Sequence, residues 1–371
     1  MRIAIDAREI ADRPTGVGRY LAELLARWTR DRDLRDVECL LLLPRRPDRP
    51  RTYLGTGGAS VREVIVPGRV AGTAWEQGQL ALAVARSRAD VLFAPAYTAP
   101  LASRAPTVVA VHDVSYWAHP EWFRWREGLR RRWVTRWAAR RARAVLTLTE
   151  TSKLDVVAWL GVDDARVHVI NPAVDSHPSF GAPPEVPARA ARAPSVLYVG
   201  SIFNRRHVPA LVAAVGRLRS HGREVRLDIV GENRTFPFED IDGIVARAGL
   251  APVVRRRDYV PHDELGRLYA EARVFAFLSS YEGFGLTPLE ALRAGVVPLV
   301  LDTPVAREAY GPAAFYVPDV SPDTVAAGLA RLLDDDLARD EVLSAAPTTL
   351  GRYSWDRAAR ETMAVLRGSV R

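Results

Sequence analysis

The strongest constraint on the fold is an alternation of short apolar runs with segments of helical period, carried through one half of the chain and then begun again. In the first half the runs fall at residues 2–6, 37–43, 61–66, 90–93, 107–112, 144–149 and 167–170. Several are uninterrupted, which suits strands covered on both faces in a parallel sheet. Helix-like segments such as 19–28 and 73–85 lie between them, so the pattern is α/β. Residues 177–194 then hold five prolines and one glycine, too many breakers for a core element. Beyond them strands restart at 195–199, 225–230, 253–259, 273–278 and 297–301, with helices at 208–218, 240–248, 263–270 and 286–294. A chain of 371 residues is also too long for one ordinary core. The reading is two Rossmann-like domains, residues 1–178 and 195–350, joined by a Pro-rich linker at 179–194. Residues 351–371 hold a last helix capped by Ser354.

Charge narrows the function classes. The net charge is +8, yet residues 122–143 alone carry nine arginines and one glutamate, so the rest of the chain sums to zero. A nucleic-acid surface spread over the protein is therefore not supported. Lys153 is the only lysine, which marks a bias toward arginine rather than a design for phosphate. Cys39 is the only cysteine, so no intrachain disulfide forms and no cysteine-rich zinc site exists. No apolar signal core follows the N-terminus and no run of about 18 uncharged apolar residues occurs. A cytoplasmic protein is expected, with peripheral contact at the inner face of the membrane as an option.

Chemistry concentrates after two strands. Strand 273–278 runs into Ser279-Ser-Tyr-Glu-Gly-Phe-Gly285, and a helical pattern starts at Leu286. Glu282 thus lies in a strand-to-helix loop and Glu290 one turn into the helix. Loops at the carboxyl ends of parallel strands bind ligands in open α/β sheets, and helix N-termini offer N–H groups to anions. A carboxylate can accept two sugar or ribose hydroxyls at once. The second site is Tyr198-Val-Gly-Ser-Ile-Phe-Asn-Arg-Arg-His207, where Gly200 permits a tight turn and Arg205 and Arg206 suit a diphosphate. In the first half, Gly16-Val-Gly-Arg-Tyr20 follows the first strand, and His112-Asp113 ends a strand. No metal-ligand spacing, Gly-x-Ser-x-Gly elbow, phosphate-loop Gly-Lys-Ser or dinucleotide fingerprint appears.

Glu282-Gly-Phe-Gly-Leu-Thr-Pro-Leu-Glu290-Ala followed by Ala294-Gly-Val-Val-Pro resembles the paired-glutamate signature of glycosyltransferase family 4. The resemblance extends to Gly16-Val-Gly-Arg-Tyr20, His112-Asp113, the Gly200 strand end and Tyr353-Ser-Trp355. It implies the GT-B fold, two Rossmann-like domains facing across a cleft with the last helix crossing back to the first. It also implies transfer of a hexose from a nucleoside diphosphate sugar with retention; since no metal-ligand spacing is present, no metal or other cofactor is expected. Catalytic roles fall on Glu282, His112, Arg205 and Arg206. Donor contacts fall on Gly16, Gly18, Gly200, Ser201, Tyr259, Val260, Gly283, Phe284, Gly285, Leu286, Thr287 and Glu290. Asp113, Arg19 and Tyr20 are acceptor or sugar contacts. The chain departs from the family's Pro-Arg-Lys-Asn loop, with Asn204, Arg206 and His207 standing where the family has Pro, Lys and Asn. Its first-half pattern, including Trp75-Glu-Gln77, is similar to bacterial surface-polysaccharide mannosyltransferases. GDP-mannose is the first expected donor, then UDP sugars, with a glycan, lipid-linked or small-molecule acceptor. A nucleotide-sugar epimerase of the same architecture and a non-catalytic nucleotide or lipid binder are the competing readings.

Residues 122–143 carry Trp122, Trp125, Leu129, Trp133 and Trp137 at three- and four-residue steps, with arginines between. Two outcomes are open: the tryptophans pack on the first domain's sheet, or the segment meets anionic lipid or a lipid-linked, phosphate-bearing acceptor. Gly128 weakens the expectation of one long helix.

Overall fold

The computed structural model describes residues 1–11, 16–47, 51, 54–68, 72–174 and 193–370. The expected linker at 179–194 lies outside them except for its last two residues. Two compact units result: the first holds Met1–Ala118, Arg126–Pro172 and Ser354–Arg371, the second His119–Trp125 and Ala173–Tyr353.

Each unit is built on an all-parallel sheet. In unit 1 the strands are β1 (Arg2–Asp6), β2 (Glu38–Leu43), β3 (Ser60–Ile65), β4 (Val91–Ala94), β5 (Thr107–Ala110), β6 (Ala144–Thr147) and β7 (Val167–Val169). Their order across the sheet is β3-β2-β1-β4-β5-β6-β7. In unit 2 they are β8 (Ser195–Val199), β9 (Arg226–Val230), β10 (Val254–Arg257), β11 (Val274–Phe277), β12 (Val297–Leu301) and β13 (Phe315–Val317), ordered β10-β9-β8-β11-β12-β13. Both orders reverse beside the first strand of the unit, between β1 and β4 and between β8 and β11. A doubly wound sheet splays its loops apart at such a reversal, leaving room for a ligand beyond the carboxyl ends of the two strands.

The central strands are buried along their whole length because helices cover both faces. In unit 2, Tyr198, Phe277, Phe275 and Tyr269 form a continuous aromatic stack with centroid spacings of 5.9 to 6.5 Å. Burying each such ring stabilises the fold by about 1.5–3 kcal/mol relative to exposure. In unit 1, the Trp355–Gly368 helix packs on the Gly16–Trp28 helix, and the Trp28 indole donates to the Ala359 carbonyl at 2.9 Å. The Ser354 hydroxyl caps the last helix by accepting from the Arg357 N–H.

Three details differ from the sequence reading. Residues 73–85 are not one regular helix, since a π-helical stretch, Glu76–Leu80, separates Gly72–Trp75 from Ala81–Ser87. Strand β13 went unpredicted. Trp125–Arg141 is one unbroken helix whose inner face is Gly128, Thr135, Ala138 and Ala139. The small residues let the helix approach the protein closely, so Gly128 is a packing position and not a break, and the bulky tryptophans are left outside. Trp133 is 64% and Trp137 45% exposed, which excludes packing of this stripe on the sheet of unit 1.

Candidate functional site

In unit 2 the two loops singled out by sequence meet at the β8/β11 reversal. The β8 strand ends at Gly200, whose φ of +136° is open to glycine and rare for other residues. A Cβ there would meet the Arg206 Nη1 atom at 2.5 Å, so the missing side chain makes room for the guanidinium. A short 3-10 turn, Asn204–Arg206, follows and ends at His207 with φ of +49°. Asn is the commonest non-glycine residue in that conformation and His is also enriched, so His207 replaces the family's Asn at little conformational cost. Its Nε2 lies 3.2 Å from the Ser280 hydroxyl, and the Ser280 N–H donates to the Arg205 carbonyl at 2.9 Å. The cation loop is thereby fastened to the glutamate loop.

Glu282 sits among these cations. Its Oε1 accepts from Arg206 Nε at 2.8 Å and from the Ser279 hydroxyl at 2.9 Å, with Arg205 Nε at 3.6 Å. The three charged side chains are only 13 to 15% exposed. Burial pushes the Glu282 carboxyl up, but Arg206 and Arg205, with hydrogen bonds from Arg206 and Ser279, hold it below the ordinary carboxylate range. Burial alone would lower the Arg206 pKa; Glu282 more than offsets this, and the guanidinium stays charged. Arg206 Nη1 also donates to the Ser201 carbonyl at 2.9 Å. This forked attachment is something a lysine in the family's position could not reproduce with its single nitrogen. The cluster carries two positive charges against one negative, a surplus suited to an anion.

The helix Leu286–Arg293 begins beyond Gly285, which has φ of +83° and provides no side-chain cap. Among the described residues no capping side chain accepts from its first N–H groups. The Tyr310 hydroxyl donates to the Gly285 carbonyl at 2.9 Å and lies 3.3 Å from that of Phe284, holding the turn. Phe284 is buried edge-on against Tyr353, with centroids 5.0 Å apart. Glu290 is buried on the helix, and the Tyr269 hydroxyl donates to its Oε2 at 3.3 Å. Gly283 is buried, and Leu286 and Thr287 are half-buried at the helix start. Tyr259 is exposed and Val260 buried after β10.

Unit 1 has its own polar cluster at the β1/β4 reversal. Asp6 ends β1, and the Arg8 guanidinium donates both to it and to Glu76, which is buried on the π-helical stretch. Thr98 Oγ1 donates to Glu76 at 2.5 Å, and Gln77 Nε2 donates to it at 2.7 Å. His112 lies two residues past the end of β5 and is buried, its Nε2 2.8 Å from the Pro95 carbonyl. A carbonyl can only accept, so Nε2 carries the proton and Nδ1 is the acceptor in the neutral ring. Burial holds the His112 pKa below its ordinary value. Asp113 does not orient His112 by a hydrogen bond, because its carboxylate accepts from the Tyr97 hydroxyl and the Ser115 N–H, each at 2.9 Å. Tyr20, expected as an acceptor contact, is 3% exposed between His112 and Trp355. It is a packing residue. Gly16 is exposed, Gly18 buried and Arg19 half-buried at the start of their helix.

Residues 14–177 match the family model described as Glycosyltransferase Family 4, and residues 184–348 match that of Glycosyl transferases group 1. The chain belongs to glycosyltransferase family 4. Among curated relatives it is 31% identical to a 2-deoxystreptamine glucosyltransferase of Streptomyces kanamyceticus, over 54% of each chain. It is 26% identical to O-antigen chain mannosyltransferase B of Escherichia coli, over 60% of each. With the MMP alpha-(1->4)-mannosyltransferase of Mycolicibacterium hassiacum it shares 28% over 66% of this chain and 60% of the relative. The matches thus span 54 to 60% of these relatives' length. The fold is that of Anabaena HepE, solved with UDP and glucose, at a TM-score of 0.75 and 17% identity over 99% of this chain and all of that one. WaaG, a glycosyltransferase involved in lipopolysaccharide biosynthesis, gives 0.76 at 15% identity, over 99% of this chain and all of its own. The family 4 chain thus has the two-Rossmann GT-B fold.

Sequence reasoning missed Ser279, Tyr269 and Tyr310, whose hydroxyls fasten Glu282, Glu290 and the Gly285 turn. It also missed Arg8. Ser279 could have been found as a polar residue directly after an apolar strand. Nothing near Tyr310 in sequence marks it, because its partners lie 25 and 26 residues away.

Proposed function

We propose that this protein is a retaining glycosyltransferase that moves a hexose from a nucleoside diphosphate sugar to an acceptor hydroxyl. GDP-mannose is the preferred donor and UDP sugars come next. The observation that carries this is the buried Arg205–Arg206–Glu282 cluster at the β8/β11 reversal, next to an uncapped helix start. Mannosyltransferase-named relatives support the choice of donor, and the UDP complex of HepE supports the donor class.

In this reaction the bond between the anomeric carbon and the donor phosphate oxygen breaks, and a bond from that carbon to the acceptor oxygen forms on the same face. The acceptor proton passes to the leaving phosphate, so no protein nucleophile is required. Negative charge grows on the diphosphate as the bond breaks. Arg205, Arg206 and the N–H groups of Gly285 and Leu286 are proposed to stabilise it, the kind of preorganised electrostatics that dominates such reactions. Glu282 fixes Arg206 and orients the sugar, Glu290 accepts from the ribose hydroxyls, and no metal takes part. Gly200, Ser201, Gly283 and Thr287 are proposed to line the donor. In unit 1, Nδ1 of His112 is the ring nitrogen left to accept a hydrogen bond from a sugar hydroxyl, Nε2 being engaged by the Pro95 carbonyl.

A panel of nucleotide sugars, read by thermal shift and by products, tests the reading. Stabilisation by one donor, with slow release of its nucleoside diphosphate and of sugar in the donor's anomeric configuration, is expected. A new sugar nucleotide would replace the transferase with an epimerase, and neither shift nor product across the panel would refute catalysis.

A further inference from the structure

The outer face of the Trp125–Arg141 helix departs from what a water-facing helix of unit 1 needs. Opposite the inner face of Gly128, Thr135, Ala138 and Ala139, Leu129, Trp133 and Trp137 are 42, 64 and 45% exposed. At about 100° per residue these three fall within an arc of roughly 80°. Arg126 and Arg140 fall within the same arc, Arg130 and Arg141 border it, and all four are exposed. On the flank, Arg132 and Arg136 lie over the Trp117 ring, which stacks on the partly exposed Trp159 of the neighbouring Glu150–Leu160 helix. Arg140 Nε donates to the Leu160 carbonyl at 2.8 Å, tying the two helices together. The only acid in residues 122–143 is Glu127, which pairs with Arg131.

We propose that this face docks unit 1 on an anionic phospholipid surface, the helix lying flat with its indoles at the headgroup level and its arginines on the phosphates. Three observations select that occupant. An arginine bias across the chain explains arginine in place of lysine, but not eight net positive charges gathered in one short segment of an otherwise neutral protein. A second copy of the chain would set this cationic face against itself, and like charges repel. Nucleic-acid bases need open aromatic faces to stack on, whereas Trp133 and Trp137 stack on each other, 6.3 Å apart and 19° from parallel. A lipid surface asks for amphipathic rings beside cations on a single helical face, which is what this helix presents. The proposal is independent of the transferase reading.

The test is sedimentation of the full chain with vesicles of neutral phosphatidylcholine, or of phosphatidylcholine with one third phosphatidylglycerol, at low salt. Each arginine near an anionic surface strengthens binding about fivefold. Arg130→Gln with Arg141→Gln is therefore expected to weaken binding about 25-fold, and Trp133→Ala with Trp137→Ala on the order of tenfold. These side chains are exposed, so circular dichroism and melting temperature serve as controls for an intact fold. Salt near 0.5 M should release the wild-type protein from anionic vesicles. Equal binding to both vesicle types, or binding unchanged in both variants, overturns the proposal. So does a single-stranded oligonucleotide bound as tightly as the anionic vesicles, or a lipid-free dimer that the tryptophan variant dissociates.

Discussion

Replacing Glu282 by Ala separates the carboxylate's structural work from its chemical work. The side chain accepts from Arg206 at 2.8 Å and Ser279 at 2.9 Å, in a place where the charged partners are 13 to 15% exposed. Its removal leaves two guanidinium groups facing each other with little water to screen them. Breaking a buried pair from one side costs about 3–5 kcal/mol. For a unit of this size each kcal/mol lowers the melting temperature by about 2–4 °C, so Glu282→Ala is expected to melt roughly 6–20 °C early. Glu282→Gln keeps the shape and an acceptor oxygen and loses the charge, so it should fall between the two. The pH dependence has a definite sign. The folded carboxyl titrates below its unfolded value near 4.3, so its stabilisation is complete above about pH 5 and fades as pH falls through the folded pKa. Differential scanning calorimetry from pH 8 to 3 should therefore show a constant gap between wild type and Glu282→Gln that narrows only at the acid end. A Glu282→Ala protein melting within about 1 °C of wild type at pH 7 would refute the ion-pair argument.

Other perturbations follow from the same geometry. Gly285→Ala places a Cβ 2.1 Å from the Tyr310 hydroxyl at a φ of +83°, so strain and displacement together should cost about 2–5 kcal/mol, read by chemical denaturation. Arg206→Lys cannot hold Glu282 and the Ser201 carbonyl with one fork, and losing a charge-assisted bond of about 1.5–3 kcal/mol should weaken donor binding by roughly 10- to 100-fold in calorimetry. Burial keeps the folded His112 pKa below the unfolded value near 6.5, so its contribution is complete above that pH and is lost as pH falls toward the folded value. His112→Gln should accordingly flatten the fall in melting temperature between pH 7 and 5, and identical slopes in variant and wild type would contradict the assignment.

Much of the architecture was legible because burial on both faces of a parallel strand leaves a local mark. Residues 195–199 and 297–301 read as strands from their apolar runs alone and form β8 and β12 over the same residues. The paired loops after β8 and β11 were legible for a similar reason, since glycines, cations and acids crowd where apolar runs stop. What was not legible depends on distant partners. The three residues of β13 are too few for a pattern, and their identity as a strand rests on pairing with β12. The outward turn of Trp133 and Trp137 reversed the ordinary rule for large rings, because glycine and alanines took the inner face of the same helix. Tyr20 was a ligand contact by what the resemblance implied, yet a helix from the far end of the chain covers it.

That covering helix sets an order of events during synthesis. Unit 1 takes its last helix, Trp355–Gly368, from residues made after the whole of unit 2. While the ribosome is still producing unit 2, Tyr20 and Trp28 lack the Trp355 ring and the Ala359 carbonyl that they meet in the finished protein. Domains generally fold as they emerge, N-terminal first. Here the unit that starts first finishes last, and it carries an exposed seam for the greater part of translation. A chain that stops before residue 354 would leave that apolar seam of unit 1 uncovered.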